Sequence, residues 1–168
     1  MAAQAEAMDR EELHAEVADG SLRERAAVAL MDRVRASVGL TVRCETADGQ
    51  RWQGEIAAYG VDWFELSATG EAGHRDVLIP SPAVRGMVGL ARGAVGADAT
   101  SLVSRRVDLR MVLRRVSARH IPVRVYRIEA DPLSGDVVVV GNDYLELRDS
   151  AATHWSVPLS AVASVTAD

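Results

Sequence analysis

Lysine is missing from this chain of 168 residues, and cysteine occurs once, at Cys44. A single thiol closes no disulfide within the chain and builds no thiolate-rich metal site, so the expected setting is reducing and cytoplasmic. All 19 basic residues are Arg; beside the many Ala and Val residues this reads as high-GC coding bias, which makes the number of Arg weak evidence for chemistry. Acidic residues outnumber basic ones 24 to 19, a net charge of −5, whereas a general polyanion binder carries a basic excess. Nowhere do about 18 consecutive apolar residues occur, and no basic start followed by an apolar run opens the chain. A soluble, unsecreted protein without a membrane partner is expected.

Catalytic signatures are also missing. The sequence has no phosphate-binding glycine loop, no Gly-x-Ser-x-Gly elbow and no dinucleotide fingerprint, and no spacing of Ser, His and Asp singles out a triad. His14, His74, His120 and His154 form no i, i+4 pair and have no acidic residue at metal-site spacing. Cys44 alternates with Val42 and reads as a small buried hydrophobe. The expectation is a protein that is not an enzyme and carries neither cofactor nor metal.

What is present is an internal repeat. Gly54 to Leu66 laid over Gly135 to Leu147 aligns Gly54 with Gly135, Gly60 with Gly141, Asp62 with Asp143, Glu65 with Glu146 and Leu66 with Leu147, all at one spacing of 81 residues. The same spacing pairs Val42-Arg43 with Val123-Arg124. Three residues fewer, 78, pairs Ile79-Pro80 and Val84 with Val157-Pro158 and Val162. Ahead of each copy, Ala27, Leu30, Met31 and Val34, then Leu109, Val112, Leu113 and Val116, follow the i, i+3, i+4, i+7 rule of an amphipathic helix at a spacing of 82.

Strand alternation puts Trp52, Gly54, Ile56 and Ala58 on one inner face, with Leu133, Gly135, Val137 and Val139 matching them, and Phe64, Leu66, Leu145 and Leu147 continuing it. Residues 47–49 and 132–135 read as hairpin turns. Gly54 and Gly135 mark strands bent by a bulge or a close backbone approach, which curls a short sheet into a small barrel. The predicted organisation is an acidic N-terminal helical segment over 1–20, a first helix plus barrel over 21–88, a glycine-punctuated linker over 89–100, and a second helix plus barrel over 101–168.

This pattern of a helix and five short strands, with Gly in the second strand, Asp near the turn into the third and a tight turn after an apolar fourth, resembles the Sm-like barrel family. The likeness spans roughly residues 27–88 and 105–166. It implies a mainly β, α+β fold of two tandem five-stranded Sm-like barrels, each preceded by an α-helix. It also implies an RNA-lined pore built from Gly60-Val61-Asp62, Gly141-Asn142-Asp143, Pro80-Ser81-Pro82 and Pro158-Leu159-Ser160. Where the family meets a base with Asn, this chain has Asp62 and Asp143, whose carboxylates repel phosphate.

Two sets of candidate site residues follow. Arg105, Arg106, Arg110, Arg114 and Arg115 make the one concentrated basic stretch, with Arg106, Arg110 and Arg114 in an i, i+4, i+8 stripe suited to a phosphate backbone. Trp63 and Tyr144 occupy matching positions pointing away from the inner face, where they stack on a partner or lie covered by a helix or the sister copy. The leading expectation is a non-enzymatic interaction module that binds protein or itself through free strand edges. The alternative is a nucleic-acid-binding regulator, preferring RNA, that uses the Arg helix.

Overall fold

Alternating apolar residues resolve into ten strands in the computed structural model, which describes residues 28–70, 73–93 and 107–168. The predicted acidic segment 1–20 lies outside the described residues, as do Arg105 and Arg106. The elements in chain order are α1 (Leu30–Ala36), β1 (Thr41–Thr46), β2 (Arg51–Tyr59), β3 (Trp63–Gly70), β4 (Gly73–Pro80) and β5 (Val84–Val88). They are followed by α2 (Leu109–Ala118), β6 (Val123–Arg127), β7 (Ala130–Val140), β8 (Tyr144–Arg148), β9 (His154–Pro158) and β10 (Val162–Ala167). All ten strands and α2 lie in Met31–Asp168, which packs as one unit.

The expected pair of Sm-like barrels is overturned. The strands form one open, ten-stranded antiparallel sheet in the order β5-β1-β2-β3-β4-β10-β6-β7-β8-β9, so the chain is mainly β. The fourth strand supplies the physical reason. A closed barrel needs β4 to return to its own half, but β4 hydrogen-bonds instead to β10, pairing Val77 with Thr166 and Leu78 with Val165. One long sheet thereby satisfies two strand edges that separate small units would each leave open.

Either side of that joint, the pairing register repeats. Cys44 opposite Met87 is answered by Val125 opposite Val165, and Leu66 opposite Val77 by Leu147 opposite Trp155. Each half also bends at its second strand. A side chain at Gly54 would stand 2.4 Å from the Ser67 carbonyl oxygen, and one at Gly135 2.2 Å from that of Arg148, so both glycines permit a close backbone approach. Register shifts follow at Ile56/Ala58 and Val137/Val139. The second shift turns Val139 outward, against the simple alternation, and brings Val140 against the core instead.

The second hairpin also differs from expectation. Its turn lies at Ile128-Glu129, with Glu129 in the left-handed region at φ 56°, and Pro132 to Gly135 continue inside β7. The irregular register between Val125 and Arg127 accommodates this proline.

Two apolar clusters hold the sheet. One gathers Val42, Cys44, Ile56, Phe64, Leu66, Val77 and Ile79 beneath Val34 of α1. The other gathers Val123, Val125, Val137, Leu145, Leu147 and Val157 with Leu109 and Leu113 of α2. The second cluster also takes in Trp63 and Leu78 from the first half, so the β4–β10 joint is packed as well as hydrogen-bonded. Among the described residues no helix is long and apolar enough to cross a membrane.

Candidate interaction surfaces

The turn between β2 and β3 is closed by the Gly60 amide donating to the Trp63 carbonyl oxygen at 2.8 Å, and the Asp62 carbonyl accepts from Ser81 at 2.8 Å. Onto this frame docks the segment leading into α2. The Val107 carbonyl accepts from the Val61 amide at 3.1 Å and from Trp63 Nε1 at 3.0 Å, while the Leu109 amide donates to Asp62 Oδ1 at 2.9 Å. Trp63 is left only 6% exposed. The backbone that covers it belongs to the second half.

The matching turn of the second half has the same frame. Gly141 donates to the Tyr144 carbonyl at 2.9 Å, and Leu159 donates to that of Asp143 at 2.8 Å. Its cover differs. Tyr144 is 36% exposed, and among the described residues no backbone segment is hydrogen-bonded to the Asn142 amide or the Asp143 carboxylate.

The two turns and the two proline turns converge on one cleft of about 440 Å³. Pro80, Pro82 and Ala83 line it from the first half, Pro158, Leu159 and Val162 from the second, and Leu109 from α2, with Asp62, Asn142 and Asp143 at its polar edge. Four sequence segments singled out separately thus meet in space. Leu109, marked in sequence by its helix face, and Val162, marked by the repeat, also line it.

Of the candidate arginines, Arg110 does not offer a free cation to this cleft. Its guanidinium is held by Asp108 Oδ2 at 2.6 Å and reaches Asn142 Oδ1 at 2.7 Å. Asp108 caps α2 by accepting from the Met111 amide at 2.9 Å. Desolvation pushes the Asp108 carboxyl up, but the hydrogen bonds from Arg110 and Met111 and the charges of Arg110 and Arg114 outweigh it and hold it below the usual range. Arg114 Nη2 donates to the Val140 carbonyl at 3.3 Å, and Arg114 and Arg115 are otherwise exposed. The stripe is therefore partly engaged by its own fold.

Sequence spacing did not reveal one polar cluster, because cross-strand register creates it. On β3 and β4, Ser67 Oγ lies 2.7 Å from His74 Nε2 and donates to Asp76 Oδ1 at 3.1 Å. Asp76 approaches the same imidazole nitrogen, at 3.4 Å, whereas a hydrolytic triad needs its carboxylate on the other nitrogen to orient the ring. Cys44 is fully buried, and burial, with Glu45 adding to it, pushes its thiol up to about 12, the reverse of an activated nucleophile. Among the described residues no three His, Cys, Asp or Glu side chains group as metal ligands.

The sheet ends in two edges, β5 and β9. Both present apolar side chains, Val88 at 62% exposure and Trp155 at 39%. Trp155 is fixed in place by Nε1–H donating to Asp149 Oδ2 at 2.9 Å and by the Arg127 guanidinium 5.6 Å from its ring centroid. No protein-family model and no curated protein matches this chain.

Proposed function

We propose that this protein is a non-enzymatic, self-associating interaction module whose chains join through β5 of one copy and β9 of the next. The carrying observation is the joint already inside the chain. In the shared register, β9 stands where β4 stands in the first half, and β5 stands where β10 stands in the second. β4 and β10 are paired; β9 and β5, their counterparts, are the two edges left over.

Repeating the internal joint between chains pairs Met87 with Ser156 and Val88 with Trp155, by analogy with Val165–Leu78 and Thr166–Val77. Such a contact is head-to-tail, so it generates a ring when the rotation closes and a filament when it does not. Strand addition supplies main-chain hydrogen bonds, and the exposed Val88 and Trp155 supply apolar area. Nucleic-acid binding is less well supported, because Arg110 is engaged by Asp108 and Asn142 and the net charge is −5.

Hydrogen exchange measured over a range of protein concentrations tests this reading. Amides of β5 and β9 are expected to become protected together as concentration rises, while β2 and β7 stay unchanged. Exchange at both edges that is indifferent to concentration would remove it.

A further inference from the structure

We propose that the cleft between the proline turns binds a small amphiphilic organic cation, a single-ring apolar body with an amidinium, guanidinium or ammonium head. Residues of one chain line the cleft, so this inference stands independently of the edge pairing. Its base is apolar: Ala83, Leu109 and Val162 line it and are each at most 5% exposed. Pro80, Pro82 and Pro158 stand around that base, their rings fixing the backbone. The volume of about 440 Å³ falls within the range of small-molecule sites, roughly 300–1,000 Å³.

The walls disfavour an extended peptide. Pro80, Pro82 and Pro158 carry no N–H, and the Ser81 and Leu159 amides already donate to the Asp62 and Asp143 carbonyl oxygens, so these positions offer a peptide backbone no donor. The rim decides the charge. The Arg110 guanidinium is held by Asp108 Oδ2 at 2.6 Å and donates to Asn142 Oδ1 at 2.7 Å. Asp62 Oδ1 accepts from the Leu109 amide at 2.9 Å, whereas Asp62 Oδ2 and the Asp143 carboxylate accept no hydrogen bond among the described residues. Two carboxylates with acceptor capacity left attract a cationic head and repel an anionic one. A bare metal ion fits less well, because among the described residues no three ligating side chains group together. An exposed ion pair alone adds little, so the base holds the body and the rim selects the head.

Titrating the full chain with benzamidine, benzamide and benzoate, one ring with a cationic, a neutral and an anionic head, tests this by calorimetry and amide NMR shifts. Benzamidine is expected to bind with a Kd on the order of 1 mM and to shift the Ala83, Leu159 and Ser160 amides. Benzamide should bind about ten-fold more weakly, and benzoate should not bind. Asp62→Asn and Asp143→Asn keep shape and an acceptor oxygen; each should weaken benzamidine about three-fold, and together about ten-fold, while leaving benzamide unchanged. Val88→Glu, which breaks the edge pairing, should bind benzamidine as wild type does, so the two readings fail separately. Three probes binding alike, benzamidine binding indifferent to both Asn variants, or no shift at these amides at about 10 mM benzamidine overturns the proposal.

Discussion

Gly60–Trp63 and Gly141–Tyr144 share their backbone frame, hydrogen bond for hydrogen bond, and differ in what lies on top of it. The first carries the lead-in of α2 and buries its aromatic to 6% exposure; the second carries no such segment among the described residues and leaves its aromatic at 36%. The same contrast recurs at the strand edges. β10 sits between β4 and β6 and is buried along Val162–Thr166, whereas its counterpart β5 has β1 on one side and exposes Arg85 and Val88. Local folding therefore does not explain the difference. Each position in the first half that receives the second half is satisfied, and each corresponding position in the second half is open among the described residues.

Substitutions that load the two turns unequally sharpen this contrast. The largest effect is expected from the aromatics: Trp63→Ala should lower the unfolding free energy by about 3–5 kcal/mol, as loss of a buried Trp does, against less than about 1 kcal/mol for Tyr144→Ala at its exposed site. Urea denaturation of both variants at concentrations where the chain is single provides the comparison, and equal losses would break it.

The glycines come next. A Cβ at Gly60 would lie 2.2 Å from the Val107 carbonyl oxygen, a backbone atom, and 2.1 Å from Trp63 Nε1 in a buried ring. At Gly141 the nearest atoms belong to the Tyr144 ring, which has room to swing outward. Gly60→Ala is expected to destabilise by about 2–3 kcal/mol, an overpacking cost, and Gly141→Ala by distinctly less in the same denaturation experiment.

A smaller effect attaches to the α2 cap. Asp108→Ala should cost about 1 kcal/mol through loss of the Met111 cap, with no counterpart in the second half's turn. Because the folded protein holds this carboxyl below its ordinary range, its contribution is fully present above the unfolded-state value and fades as pH falls through the folded one. The stability gap between wild type and Asp108→Ala should accordingly shrink on acidification below the ordinary carboxylate range; a gap that widened there would contradict the assignment.

Much of the scaffold was legible in the sequence because it rests on short-range period. Val34 and Leu113 lie buried on the helix faces that the i, i+3, i+4 spacing marks, and Val42, Cys44, Ile56, Leu66 and Leu147 lie on the inner strand face. Period fails where a bulge shifts the phase, as at Val139, and where Glu129 takes a left-handed position without glycine, leaving Pro132 inside a strand.

The continuity of the sheet was hidden for another reason: β4 and β10 are joined by two residue pairs between segments far apart in the chain, a pairing that periodicity within either segment does not specify. One sequence signal was available. Val162 to Thr166 is a run of small and apolar residues without charge, the mark of a strand covered on both faces. The segments of the cleft could be named one by one from matched turns, but their convergence follows only from that joint.

The measurement closest to the central claim is the solution mass by light scattering across a range of concentrations, for wild type, Val88→Glu and Val88→Glu with Trp155→Lys. The β5–β9 joint predicts that wild type exceeds the mass of one chain increasingly with concentration. It also predicts that Val88→Glu reduces it to one chain by placing a charge on the edge, and that Trp155→Lys restores association through an opposed cross-strand pair. A wild-type mass of one chain throughout, or an assembly unaffected by Val88→Glu, would contradict it.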